Sequence, residues 1–130
     1  MTHSTNLNSR QAIILAVYGV VLWFLAAMLV RMLSPIGALS GVWQVVTYVL
    51  VVPGTVPAIF GARVIAKLAR GQTAMGITVV TAAALLLDGV AFAWFPVLYG
   101  PDPTLWLAGA AVILWGAGVG LVLGILMNRD

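Results

Sequence analysis

The chain reads as an all-α membrane protein, a single domain over residues 1–130 built as a bundle of four transmembrane helices. Three observations predict this. Hydrophobic residues make up 63% of the chain and charged residues only 7%, against about 25% charged in an average soluble domain. The apolar residues form long continuous runs rather than short alternating ones, which selects helices over a barrel. Four such runs, separated by short Pro/Gly-rich or charged segments, each hold about 20 residues, enough to cross a bilayer.

The first ten residues (MTHSTNLNSR) are a polar tail. Asn8 or Ser9 stands where an N-cap is expected. The first span covers about 11–32, uncharged from Ala12 to Val30 and followed by Arg31. Its apolar core exceeds a typical signal-peptide h-region and no clear small-x-small cleavage site follows, so it is read as a retained span.

Leu33–Gly41 is a short loop, and the second span follows over about 42–62. It contains Pro53-Gly54-Thr55-Val56-Pro57 near its middle. Proline removes a backbone donor and clashes with the preceding turn, so this stretch predicts a kink or a short unwound break at Pro53, Gly54 and Pro57. Gln44, Thr47, Tyr48 and Thr55 fall on one mildly polar face. Arg63, Lys67 and Arg70 recur at i, i+4 and i+7. This predicts a helix continuing past the membrane, with a basic face toward lipid phosphates, until Gly71 ends it.

The third span covers about 73–98 and carries Asp88 just past its middle. Thr81 lies two turns earlier on nearly the same face, flanked by Ala84 and Ala91. Tyr99–Pro103 is a tight turn in which Asp102 caps the fourth helix, with Pro103 at its first position. The fourth span, about 104–127, has no ionisable side chain. Gly109, Gly116, Gly120 and Gly124 form one stripe, a spacing that lets helix backbones approach closely, within the monomer or across a dimer seam.

Arg10, Arg63, Lys67, Arg70 and Arg129 alternate to one side of a four-span hairpin pair. Arg31 lies toward the other side, with Asp102. The positive-inside rule then places both termini in the cytoplasm, and Trp43, Trp94, Tyr99 and Trp106 at the outer interface as an aromatic belt.

Chemistry is sparse. There is no cysteine or glutamate, and the only histidine, His3, is in the polar tail. No thiolate, Gly-rich phosphate loop, metal cluster or converging pair of catalytic groups can be assembled, so no catalytic residue, metal or cofactor is expected, and the protein is read as not an enzyme. The net charge of +3 reads as topology signal and anionic-lipid contact rather than nucleic-acid binding. What remains is the intramembrane acid. A carboxylate in a span normally has a partner or a task. Arg31 ends a helix running in the same direction, roughly 8 Å further along at 1.5 Å per residue. Its side chain leans back toward Asp88. Three readings of Asp88 are open: a locked Arg31–Asp88 pair, an acid that accepts hydrogen bonds from Thr, Tyr or Trp, and a titrating site facing the second helix, with Thr55 and Thr81 as further polar candidates. Arg31 by itself reads as an interface residue reaching to headgroups.

The stretches LLDGVAFAWFPVLYG and LWGAGVGLVLG resemble an uncharacterised family of small bacterial four-helix integral membrane proteins. The resemblance implies a bacterial inner-membrane location and an acid in the third helix, and supplies no activity. The chain is not similar to the small multidrug-resistance transporters, which depend on a glutamate in the first span. Two functional classes follow. One is a non-catalytic membrane component whose partners, beyond the bilayer, are a second copy or a larger membrane complex. The alternative is a small dimeric transporter or proton-coupled carrier using Asp88.

Overall fold

The computed structural model describes residues 6–128, and its described residues are helical with no strand: α1 (Ser9–Leu33), α2 (Gly41–Ile65), α3 (Thr73–Trp94) and α4 (Trp106–Leu126). All four are long and apolar enough to cross a membrane. His3, Arg129 and Asp130 lie outside the described residues.

Local sequence accounts for most of the boundaries. Asn8 accepts from the Gln11 backbone at 2.8 Å while the Gln11 side chain accepts from the Asn8 backbone at 3.1 Å. This is a capping box that satisfies two donors at the start of α1. The α3 helix stops at Trp94, four residues short of the expected end. Pro96 is the cause: the residue before a proline is driven out of the helical region, and Phe95 sits at φ −133°, ψ 46°. The chain then makes a 3-10 turn over Pro96–Tyr99. Asp102 caps a second such turn, Pro103–Leu105, which leads into α4.

Two expectations for α2 are corrected. The helix is not broken: it runs unbroken from Gly41 to Ile65 with Pro53 and Pro57 inside it. Side chains donate to carbonyls around the two prolines, Trp115 to Tyr48 at 3.0 Å, Thr55 to Val51 at 2.7 Å and Tyr18 to Ala58 at 2.8 Å. These bonds reach neighbouring carbonyls rather than those of Val49 and Pro53, the two that the prolines leave without a helical N–H. Pro53, Gly54 and Pro57 all face outward.

Nor does α2 continue to Gly71. It ends in a Schellman turn, with Leu68 N–H bonding the Arg63 carbonyl at 3.0 Å and Lys67 N–H the Val64 carbonyl at 3.3 Å. The left-handed position that usually takes glycine is held by Lys67, at φ 52°. Arg63, Lys67 and Arg70 therefore do not share one helical face; Lys67 and Arg70 belong to the turn.

The helices do not pack mainly as sequential hairpins. The most extensive contacts join α1 to α3, then α2 to α4 and α3 to α4; α1 meets α2 over a shorter stretch, through Tyr18 and the lower apolar cluster. α1 and α3 run parallel. Their starts meet at Gln11 and Gln72, and their ends meet at Arg31 and Val97. These define a lower and an upper end of the bundle. Gly19 is the point of closest approach, since a Cβ there would lie 2.5 Å from the Val80 carbonyl oxygen. One apolar cluster (including Leu15, Ile59, Ala62 and Ile77) fills the lower half, and another (including Ala27, Val30, Leu39 and Val112) the upper half.

The glycine stripe of α4 is spent on packing within the bundle. Gly109 lies against Val30 of α1, Gly116 and Gly120 against Val51 and Thr55 of α2, and Gly124 against Ile77 of α3. The absent side chains let one helix meet three neighbours.

Candidate functional site

Asp88 is buried, at 8% exposure. Its partner comes from eleven residues downstream. The proline-induced turn after α3 folds the chain back so that Tyr99, 1% exposed, returns alongside the last turns of the helix. The Tyr99 hydroxyl donates to Asp88 Oδ1 at 2.5 Å, and Trp23 Nε1 of α1 donates to the same hydroxyl at 3.1 Å. Phe92, one helical turn beyond Asp88, stacks on the Tyr99 ring with centroids 3.7 Å apart and planes 7° apart. The carboxylate thus ends a chain of donors, indole to phenol to acid, sealed by an aromatic ring. Burial, and secondarily the adjacent carboxylate, hold the Tyr99 hydroxyl above the ordinary phenol range. The phenol therefore remains a donor.

Arg31 does not meet Asp88. It is exposed, and its Nη1 donates to the Val97 carbonyl at 2.6 Å. The reason is the same turn: residues 96–99 lie where a direct pair would have formed. Trp23 and Arg31, with Ala27 and Val30 between them on α1, brace that turn from one side. Tyr99 accordingly leaves the expected aromatic belt for the interior. Trp43 and Trp94 remain exposed at the upper end, and Trp106 is half-buried with its indole donating to the Gly100 carbonyl at 2.8 Å. The other polar candidates are not brought to the acid. Thr81 is half-buried two turns below it, and Thr55 bonds its own helix and packs on Gly120.

A second polar cluster occupies the lower end, where sequence reasoning placed only the basic residues. Gln11 and Gln72 are both buried and bond each other through paired amides at 3.1 and 3.2 Å. Gln11 also donates to the carbonyls of Ala66 and Lys67, each at 3.3 Å. Gln72 accepts from Ala69 N–H at 2.7 Å and donates to the Asn6 carbonyl at 2.9 Å. The two amides thus satisfy the backbone of the α2–α3 turn, including carbonyls that the end of α2 leaves without helical partners. Asn128 adds a cap on the Ala74 N–H at 2.8 Å. Neither glutamine stood out in sequence, because a polar residue beside a span end reads as solvated.

Two hollows lie away from Asp88. One, of about 110 Å³, opens at the lower end beside Arg10 and Lys67. The other is an open groove of about 680 Å³ on the outward face of α2, between Gln44, Val49, Pro53 and Trp115. Comparison of the chain with protein-family models, with curated proteins and with solved structures returns no match.

Proposed function

We propose that this is a small non-catalytic integral membrane protein of the bacterial inner membrane that acts through helix–helix association, with a second copy or a larger membrane complex. The observation that carries the reading is the use made of Asp88. The one acid in a span is engaged by Tyr99 and Trp23 in a buried network, which suits a residue that docks α1, α3 and the following turn. A proton or solute carrier calls instead for a titratable group beside an open path.

The surface for association is on α2. This helix buries only Ile59 and Ala62, both in its lower half, while α1 and α3 bury five and six residues. Its outward face presents Val42, Val45, Val49 and Pro53. The glycine stripe of α4, engaged within the bundle, leaves α2 as the helix with the least covered surface. Arg10, Arg63, Lys67 and Arg70 gather at the lower end, which supports an orientation with both termini in the cytoplasm.

The absence of native cysteine makes the test clean. Single cysteines at Val45 or Val49, labelled with a thiol-attached photocrosslinker and irradiated in native membranes, are expected to capture one defined species, a dimer or a heteromeric product. A cysteine at Leu15 should capture none. No defined product from either α2 position would overturn the proposal. So would proton flux in proteoliposomes that Asp88→Asn abolishes, which would establish the carrier in its place.

A further inference from the structure

The hollow at the lower end has a composition that the association reading does not use. It is lined by Asn8, Arg10, Gln11 and Ile14 from the start of α1, and by Ile65, Ala66 and Lys67 from the end of α2. Two cationic residues, 57 apart in sequence, line it, and no acid lines it among the described residues. Of the described acids, Asp88 bonds Tyr99 beside the upper turn and Asp102 caps the turn before α4. At about 110 Å³ the hollow is well below the range of about 300–1,000 Å³ typical of drug-sized ligands. It suits a single small charged group.

Its walls are fixed. The Asn8–Gln11 capping box holds one side, and Gln11 bonds the carbonyls of Ala66 and Lys67 on the other. Lys67 itself sits in the left-handed conformation, φ 52°, where glycine would sit without strain. A strained residue held by its surroundings is where function is to be sought. Here the strained residue is a lysine that lines the hollow. The positive dipole end of α1 is opposed by the negative end of α2, whose Ala66 and Lys67 carbonyls are taken up by Gln11, so the preference for an anion rests on the two cationic residues.

The geometry points to a phosphate-binding site between Arg10 and Lys67, whose natural occupant is the phosphodiester of an anionic phospholipid headgroup at the membrane surface. The site needs only that these four helices span the bilayer. It is independent of what α2 associates with, because cysteine crosslinking on α2 and lipid retention at the lower end are read separately.

The experiment uses the full chain in mild detergent, with phosphatidylglycerol, phosphatidylcholine and inorganic phosphate as probes and native mass spectrometry as the readout. Wild type is expected to retain phosphatidylglycerol in preference to phosphatidylcholine. Arg10→Gln and Lys67→Gly should each lower that retention about fivefold, the effect of one cation at a membrane surface, and Arg70→Gln by less than about twofold. Lys67→Gly is the decisive variant. It relieves the left-handed strain, so its thermal midpoint should equal or exceed that of wild type while lipid binding falls. Misfolding cannot produce that combination. Inorganic phosphate that displaces the lipid at equal concentration makes free phosphate the source, and failure to displace it makes the lipid the source; either, with the Arg10 and Lys67 dependence, supports the site. Equal retention of the two lipids, or equal losses in Lys67→Gly, Arg10→Gln and Arg70→Gln, would overturn it.

Discussion

At the upper end of the bundle, α1 and the α3 region are joined by rings and a carboxylate. At the lower end they are joined by two neutral amides. The upper network is a short directed chain, Trp23 to Tyr99 to Asp88, closed over by Phe92. The lower is a branched set in which Gln11 and Gln72 bond each other and also bond backbone groups of the α2–α3 turn. The difference follows from what each end must satisfy. A turn that leaves helical carbonyls unpaired needs donors, and glutamine brings both donors and acceptor on one flexible stem. A proline-stopped helix carrying an acid needs a donor for a charge and bulk to exclude lipid, which tyrosine supplies together.

The comparison can be broken at its strongest point first. Tyr99→Ala removes a fully buried ring and the acid's donor, and is expected to destabilise the protein by about 3–5 kcal/mol. Thermal unfolding in detergent, followed by far-UV circular dichroism, measures it. A loss under about 1 kcal/mol would mean that the upper network does not hold the bundle. Gly19→Ala comes next, at about 1–3 kcal/mol, because the added methyl meets the Val80 carbonyl oxygen rather than a movable side chain. It should loosen both ends together, seen as faster hydrogen exchange at both.

Tyr99→Phe keeps the ring and deletes the donor, leaving a buried carboxylate short of a partner at a cost of about 1–3 kcal/mol. Asp88→Asn keeps an acceptor for Tyr99 and should cost less, about 1 kcal/mol. The double variant measures their coupling, and additivity would show that the two side chains act separately. At the lower end, Gln72→Ala strands the Ala69 N–H and part of Gln11, for about 1–2 kcal/mol. An effect larger than that of Tyr99→Ala would reverse the ranking of the two ends.

The smallest effect concerns pH. The Thr104 hydroxyl and then its backbone N–H hold the exposed Asp102 carboxyl below its usual value. A depressed folded pKa contributes stability that is present above the unfolded value, about 3.9, and is lost as pH falls through the folded one. Acidification should therefore fray only the turn before α4, read as a lower protection of the Thr104 amide relative to its intrinsic exchange rate at each pH. Unchanged protection on acidification would remove Asp102 as the cap.

The spans were legible in the sequence because hydropathy over twenty residues depends on no tertiary contact, and Asp88 stood out for the same reason. That a Tyr or Trp donor could hold it was legible, but not which one. Axial distance along ideal helices pointed to Arg31, but the Pro96 turn inserts residues 96–99 between them and delivers Tyr99. Pro96 itself was a readable stop, and the third span drawn to Leu98 overran it. The end of α2 was hidden differently. Gly71 was the nearest glycine and drew the boundary, whereas the left-handed position fell on Lys67, at a strain of about 1–2 kcal/mol, which the paired glutamines help to hold. For α4, the glycine spacing was legible but not which helix each glycine receives, since periodicity fixes a face and not its neighbour.

The pairing of α1 with α3 has a consequence for the order in which the protein is made. As the chain is synthesised, α1 and α2 enter the bilayer as a hairpin held at Tyr18 and in the lower apolar cluster. The partners of α1 beyond it come later: Gln72 for Gln11, Val80 for Gly19 and Tyr99 for Trp23. Until those residues emerge, the Trp23 indole lacks the hydroxyl it bonds in the finished bundle. The contacts that join α1 to the second half of the chain are therefore made late, with α3 and the turn that closes over Asp88.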